Sequence, residues 1–149
     1  MVRLAAPNRA AGALPATPAA GKASPVSGVR VLVVDDHELF RRAAAAVVDA
    51  TDGFVVTGSV ATGEESLTAA ASTGPDLVLM DVNLPGMDGI EATRRLRSSA
   101  SPPVVILLST DDEDDFGARA QECGAAAYVA KSAFGTERLA AIWASACTP

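Results

Sequence analysis

From residue 29 onward the chain alternates five short apolar runs with five amphipathic stretches, and no other pattern in it restricts the fold so severely. The runs are VRVLVV (29–34), FVVTGSV (54–60), DLVLM (76–80), PVVILL (103–108) and AYVA (127–130). Helix-like segments near 38–50, 63–73, 88–99, 112–123 and 135–147 follow them, and Gly63, Gly74-Pro75, Pro85-Gly86 and Gly124 fall at the boundaries. Parallel neighbouring strands need crossover connections of about a dozen residues or more, usually a helix. Five β-α units in strict order therefore predict an α/β fold with a doubly wound parallel sheet. The unbroken β-branched character of VRVLVV and PVVILL fits strands covered on both faces.

The first 28 residues differ in kind. They are nearly all Ala, Pro, Gly and Ser, with Arg3, Arg9 and Lys22 and no acid. Prolines this frequent exclude a stable helix and interrupt any signal-peptide core, so residues 1–28 are expected to be a disordered tail and 29–149 one folded domain. Removing the tail's three positive charges turns the formal net charge of −6 into −9 for the remainder. A body this acidic lacks the basic footprint that nucleic-acid binding requires. No apolar run is long enough to cross a bilayer, and Cys123 and Cys147 have no clip spacing, so a soluble protein of a reducing cytoplasm is expected.

An open α/β sheet binds its ligands at the carboxyl ends of the strands. Asp35 and Asp36 end the first strand in VLVVDDHELF (31–40), Asp81 ends the third, Ser109 ends the fourth and Lys131 follows the fifth. Crowded carboxylates are unfavourable unless a cation or a donor compensates them. Few ligands, all oxygen, point to Mg²⁺ rather than zinc or calcium, with an anion such as phosphoryl completing the shell. Lys131 is the only lysine beyond the tail, where arginine otherwise serves, and a compact ammonium approaches a carboxylate or phosphoryl oxygen as a point charge.

Residues 29 to about 147 resemble a receiver domain of the two-component response regulators, CheY-like and nearest the NarL/LuxR-type subgroup. The marks are the DD pair in VLVVDDH, the Asp of LVLMDVNLPGMDG, the Ser of VILLST and the Tyr and Lys of AAAYVAKS, with 45 residues from Asp36 to Asp81 and 22 from Ser109 to Lys131. The resemblance implies a (βα)5 sheet in the order 2-1-3-4-5. By similarity Asp81 is the phosphoacceptor and Lys131 and Ser109 serve the reaction. Mg²⁺ is then held by Asp36, Asp81 and the Asn83 carbonyl, with Asp35 acting through a water. Lys131 pairs with Asp81 before reaction and with the phosphoryl group after it. Ser109 and Tyr128 form the switch that alters the fourth helix, fifth strand and fifth helix. The donor is a histidine kinase or a histidine phosphotransfer protein, because His37 is the only histidine. The receptor of the signal is a downstream protein, with no direct nucleic-acid or membrane contact, and a phosphorylation-dependent homodimer is compatible with that surface.

Departures from the common pattern are informative. Thr110 stands where most receivers have Ala and adds bulk beside Asp81, while Ser132 replaces a frequent Pro. His37 is expected to cap the first helix or face solvent. The acidic run 111–115 reads as a solvated helix start that complements the helix dipole. An Asp-nucleophile Mg²⁺ phosphatase would need Asp-x-Asp at the end of the first strand, and a pseudo-receiver would lack a crevice residue. A stand-alone regulator is expected from the initiating Met and the terminus after the last helix, the alternative being the receiver fragment of a DNA-binding regulator.

Asn83 and Asp111 occupy the two positions that tune hydrolysis in this family, where polar side chains can orient a water. The double substitution Asn83→Ala, Asp111→Ala is expected to lengthen the phosphoryl lifetime. Decay followed by loss of the phosphoryl mass checks this, and an unchanged rate refutes it.

Overall fold

The computed structural model describes residues 28–110 and 117–147. The expected tail, apart from Gly28, and the acidic run with Asp111 lie outside the described residues. The elements in chain order are β1 (Val29–Val34), α1 (Glu38–Ala50), β2 (Phe54–Val60), α2 (Gly63–Thr73), β3 (Leu77–Asp81), α3 (Gly89–Arg97), β4 (Val104–Ser109), α4 (Gly117–Cys123), β5 (Ala127–Ala130) and α5 (Thr136–Cys147), with a 3-10 turn at Lys131–Ala133. The strands form one sheet in the order β2-β1-β3-β4-β5, every pairing parallel. The expected topology is therefore present.

Period-two alternation divides the buried residues between the two faces. Leu32, Val34, Val78, Met80, Val105 and Leu107 join Ala92, Leu96, Ala120 and Cys123 on the side of α3 and α4. Val31, Val33, Leu77, Leu79, Ile106 and Leu108 pack with Ala44, Val48 and Leu139 on the side of α1 and α5. The central strands β1, β3 and β4 are buried on both faces, which is why their sequences read as continuous apolar runs. Shortening one of these leucines to Ala would cost about 2–5 kcal/mol.

Element ends have local causes. Asp88 lies before α3, not inside it, because its side chain accepts a hydrogen bond from the Glu91 N–H at 2.8 Å and so caps the helix. Thr62 caps α2 in the same way through the Glu65 N–H at 3.0 Å. At the other end of α2, Gly74 is left-handed, and the Arg30 guanidinium donates to the Thr73 carbonyl at 2.6 and 2.7 Å and to the Gly74 carbonyl. A cation on the last carbonyls of a helix offsets its negative end and ties α2 to β1.

The turn from β3 to α3 comes unusually close to the strand it leaves. Gly89 donates its N–H to the Val82 carbonyl at 3.0 Å, and a Cβ at Gly89 would lie 2.1 Å from the Asp81 carbonyl oxygen. Only glycine allows this approach. Gly89→Ala is expected to lower stability by about 2 kcal/mol or more through forced backbone displacement. Gly53, with φ +86 and open space around it, should lose only about 1 kcal/mol as Ala. Urea unfolding of the two variants compares the costs directly.

Candidate functional site

Two strand ends deliver the three acids. Asp35 follows β1 and is 1% exposed; Asp36, next in the chain, points outward with its side chain 33% exposed; Asp81 closes β3 at 3%. Asp81 and Ser109 are the last residues of β3 and β4, at the strand ends where the sequence reading puts them, and both are buried. The parallel register carries them there, since Asp81 pairs with Leu108 and Ser109 with Ala130. Ligand atoms of Asp35, Asp36, His37 and Asp81 lie within 4.8 Å of one another.

Lys131 enters from the end of β5. Its Nζ is 2.5 Å from Asp35 Oδ2 and 3.6 Å from Asp81 Oδ2, so the expected pairing with Asp81 is the weaker of two. Asp35 is the more enclosed acid and has the greater need of a counter-charge. The ammonium also sits 4.4 Å from the centre of the Phe40 ring, a cation-π contact from α1. Phe40 has no signal in the sequence beyond its place one turn into a helix.

Asp81 Oδ1 accepts the Asn83 N–H at 3.2 Å. Burial pushes the Asp81 carboxyl up from 3.8 to about 6, and the charge of Asp35 adds to the rise, against the opposing pull of Lys131 and the Asn83 N–H. Negative charge in the crevice therefore exceeds what the chain's own groups compensate.

His37 departs from expectation. Its ring is 70% exposed, as a solvent-facing residue should be, but it makes no side-chain bond to the start of α1. Instead Nδ1 lies 3.2 Å from Asp35 Oδ1 and 3.1 Å from Asp36 Oδ1, and the His37 N–H donates to Asp35 Oδ1 at 2.8 Å. Arg41 donates to the Asp35 carbonyl at 2.8 Å. Adjacency in the DDH triplet was the available signal for His37; Arg41 had none.

The remaining predicted residues frame the crevice. Ser109 is fully buried. Tyr128 is half-buried against the α3 and α4 side with a buried hydroxyl. Thr110 is exposed and lines an open hollow with Leu39, Phe40 and Lys131, beside the crevice as expected. Asn83 is exposed, while Asp111 falls outside the described residues.

A doubly wound parallel sheet with acids at the ends of β1 and β3 and a lysine after β5 defines a class of phosphoacceptor signalling domains. The chain belongs to the response regulator receiver domain family, whose profile matches residues 31–143. It is 44% identical over 114 residues to the response regulator GacA of Pseudomonas viridiflava, covering 76% of this chain and 53% of that protein. Identity to the response regulator UvrY of Escherichia coli K12 is 35% over 114 residues, with 76% and 52% covered. The chain thus spans about half the length of these relatives. Among solved structures, the receiver domain of the putative response regulator NarL from Mycobacterium tuberculosis matches with a TM-score of 0.75 at 32% identity, over 83% of this chain and 99% of that one. A LuxR-family two-component response regulator from Aurantimonas matches with a TM-score of 0.73 at 34% identity, over 80% and 85%. Among the described residues no helix is long and apolar enough to cross a membrane.

The fold favours a protonated Asp81, so the stability that this group contributes is fully present below about 3.8 and is lost as pH rises through about 6. Asp81→Asn removes the buried charge. In metal-free buffer at pH 7.5 it should stabilise the chain by about 1–2 kcal/mol, discounted for the wet mouth of the crevice. The gain should vanish below about pH 4. Urea midpoints at both pH values check the sign.

Proposed function

We propose that Asp81 accepts a phosphoryl group from a histidine kinase or histidine phosphotransfer protein in a Mg²⁺-dependent reaction. The α4-β5-α5 surface then changes and controls a downstream protein. The observation that carries this reading is the convergence of Asp35, Asp36 and Asp81 around one point, with Lys131 Nζ beside two of them.

The residues fit the cation. All three acids offer hard oxygen, and the raised Asp81 pKa marks uncompensated negative charge. Asp36, Asp81 and the Asn83 carbonyl would hold Mg²⁺, with Asp35 acting through a water. Bound there, the cation neutralises charge on the transferring phosphoryl group. An Asp81 carboxylate oxygen attacks phosphorus; the O–P bond forms as the P–N bond to the donor imidazole breaks, and the ring nitrogen keeps the electron pair and takes up a proton. Lys131 holds the crevice in register beforehand and a phosphoryl oxygen afterwards. The Ser109 hydroxyl bonds another phosphoryl oxygen, and Tyr128, beside it in the sheet, follows that movement. These bonds exist only in the modified state, so the phosphoryl group selects it. Asn83 and Asp111 set the rate of hydrolysis. The chain catalyses both its phosphorylation and its dephosphorylation without turning over free substrates.

The domain that acts is residues 29–149, with 1–28 as an appended tail, working in the cytoplasm without direct nucleic-acid or membrane contact. A second reading is favoured by the half-length match to GacA and UvrY: this receiver is the regulatory part of a DNA-binding transcriptional regulator. In that setting phosphorylation would act by homodimerisation through the changed surface.

Incubation with Mg²⁺ and acetyl phosphate or phosphoramidate should add one phosphoryl mass to the chain. Asp81→Asn should abolish the addition, and Lys131→Arg should slow it by about tenfold or more, since a planar guanidinium cannot replace the point charge. Phosphoryl uptake that survives Asp81→Asn, or steady phosphate release from many monoesters, overturns the proposal.

A further inference from the structure

We propose that His37 is a nitrogen ligand of the cation site, and that the crevice consequently holds a first-row transition ion with affinity for imidazole, such as Co²⁺ or Zn²⁺, more tightly than Mg²⁺. The inference rests on the reading of the crevice as a cation site and goes beyond it in the identity of the ion. An all-oxygen set selects Mg²⁺ poorly against other ions but offers them nothing special; an imidazole adds a donor that transition ions favour and Mg²⁺ does not.

The geometry comes from the backbone. His37 occupies the N-cap of α1 in an extended conformation, φ −98 and ψ 114, and its N–H is engaged by Asp35 Oδ1. The ring is not used to cap the helix. It folds back over the acidic pair, with Nδ1 3.1 Å from an Asp36 oxygen and 3.2 Å from an Asp35 oxygen. Those separations suit ligands sharing one ion, since donors at about 2.0–2.2 Å from a metal lie roughly 3–4 Å apart. The widest separation in the four-residue set, within 4.8 Å, needs up to about 1 Å of closure. The exposed ring can supply this without repacking, whereas Asp35 and Asp81 are buried and stay in place. One buried ligand acid, Asp81, with Asp35 fixed behind the site, and two adjustable donors, Asp36 and His37, make a partly preorganised site.

Other soft donors are separable. Cys123 is buried at the end of α4, and Cys147 is an exposed thiol at the end of α5. A Cys147→Ser background removes the accessible sulfur, and truncating an exposed ring leaves the core untouched.

The test is calorimetric titration of the full chain, in the Cys147→Ser background, with Co²⁺ and separately with Mg²⁺, comparing His37 with His37→Ala. Co²⁺ should bind about tenfold or more tightly than Mg²⁺, and His37→Ala should weaken Co²⁺ by about tenfold while changing Mg²⁺ less than twofold. Equal weakening of both ions would show that the ring only orients the carboxylates, and no weakening of either would show that it is a bystander; each overturns the proposal. Failure of Mg²⁺ to bind His37-containing protein would instead overturn the cation site itself, a result distinguishable from the other two.

Discussion

Three carboxylates share a space in which only one lysine answers them, and the arrangement of the upper face of the sheet follows from that imbalance. Asp35 is nearly sealed from water, so it takes the closest approach of Lys131, at 2.5 Å. Asp81 is left with the longer contact, 3.6 Å, and with one backbone N–H. Burial first, and the charge of Asp35 second, raise its pKa against the pull of those two donors. Such a site is costly for the bare chain, which is how a functional centre differs from a structural ion pair.

The fold imposes this convergence. Parallel strands bring their carboxyl ends to one edge, and the change in winding direction between β1 and β3 opens a crevice there. The close approach of Gly89 to Asp81 then anchors the loop that follows β3, which carries Asn83. Arg30, at the opposite end of β1, ties the last turn of α2 to the sheet and keeps the far edge shut. Rigid packing below and a strained charge cluster above are properties of the same strands.

Alternation of apolar runs with helical segments made the sheet and its helices legible, because burial on both faces leaves a continuous β-branched signature. The acids and Lys131 were legible too, since each directly ends or follows such a run. What was hidden lies at finer scale. The burial of Asp81 and Ser109 at their strand ends depends on ladder pairing between strands far apart in sequence. The preference of Lys131 for Asp35 depends on which acid is more desolvated, a tertiary quantity. Phe40 meets Lys131 only through tertiary packing of α1 near the turn that follows β5, and nothing in its neighbours announces that. His37 looked like a solvated cap because N-cap positions favour polar residues; its turn toward the acids comes from the extended φ and ψ of that one residue.

Lysine suits position 131 for a reason that joins these observations. Its Nζ meets two carboxylate oxygens and an aromatic face from three directions, which a small, three-donor ammonium allows and a flat guanidinium does not. The same contact pattern would couple cation binding to phosphoryl binding: a divalent ion among the acids would lower their demand for the ammonium, and Nζ would become available to an incoming phosphoryl oxygen. Neutralising charge at one end of the crevice would then be the condition for anion recognition at the other.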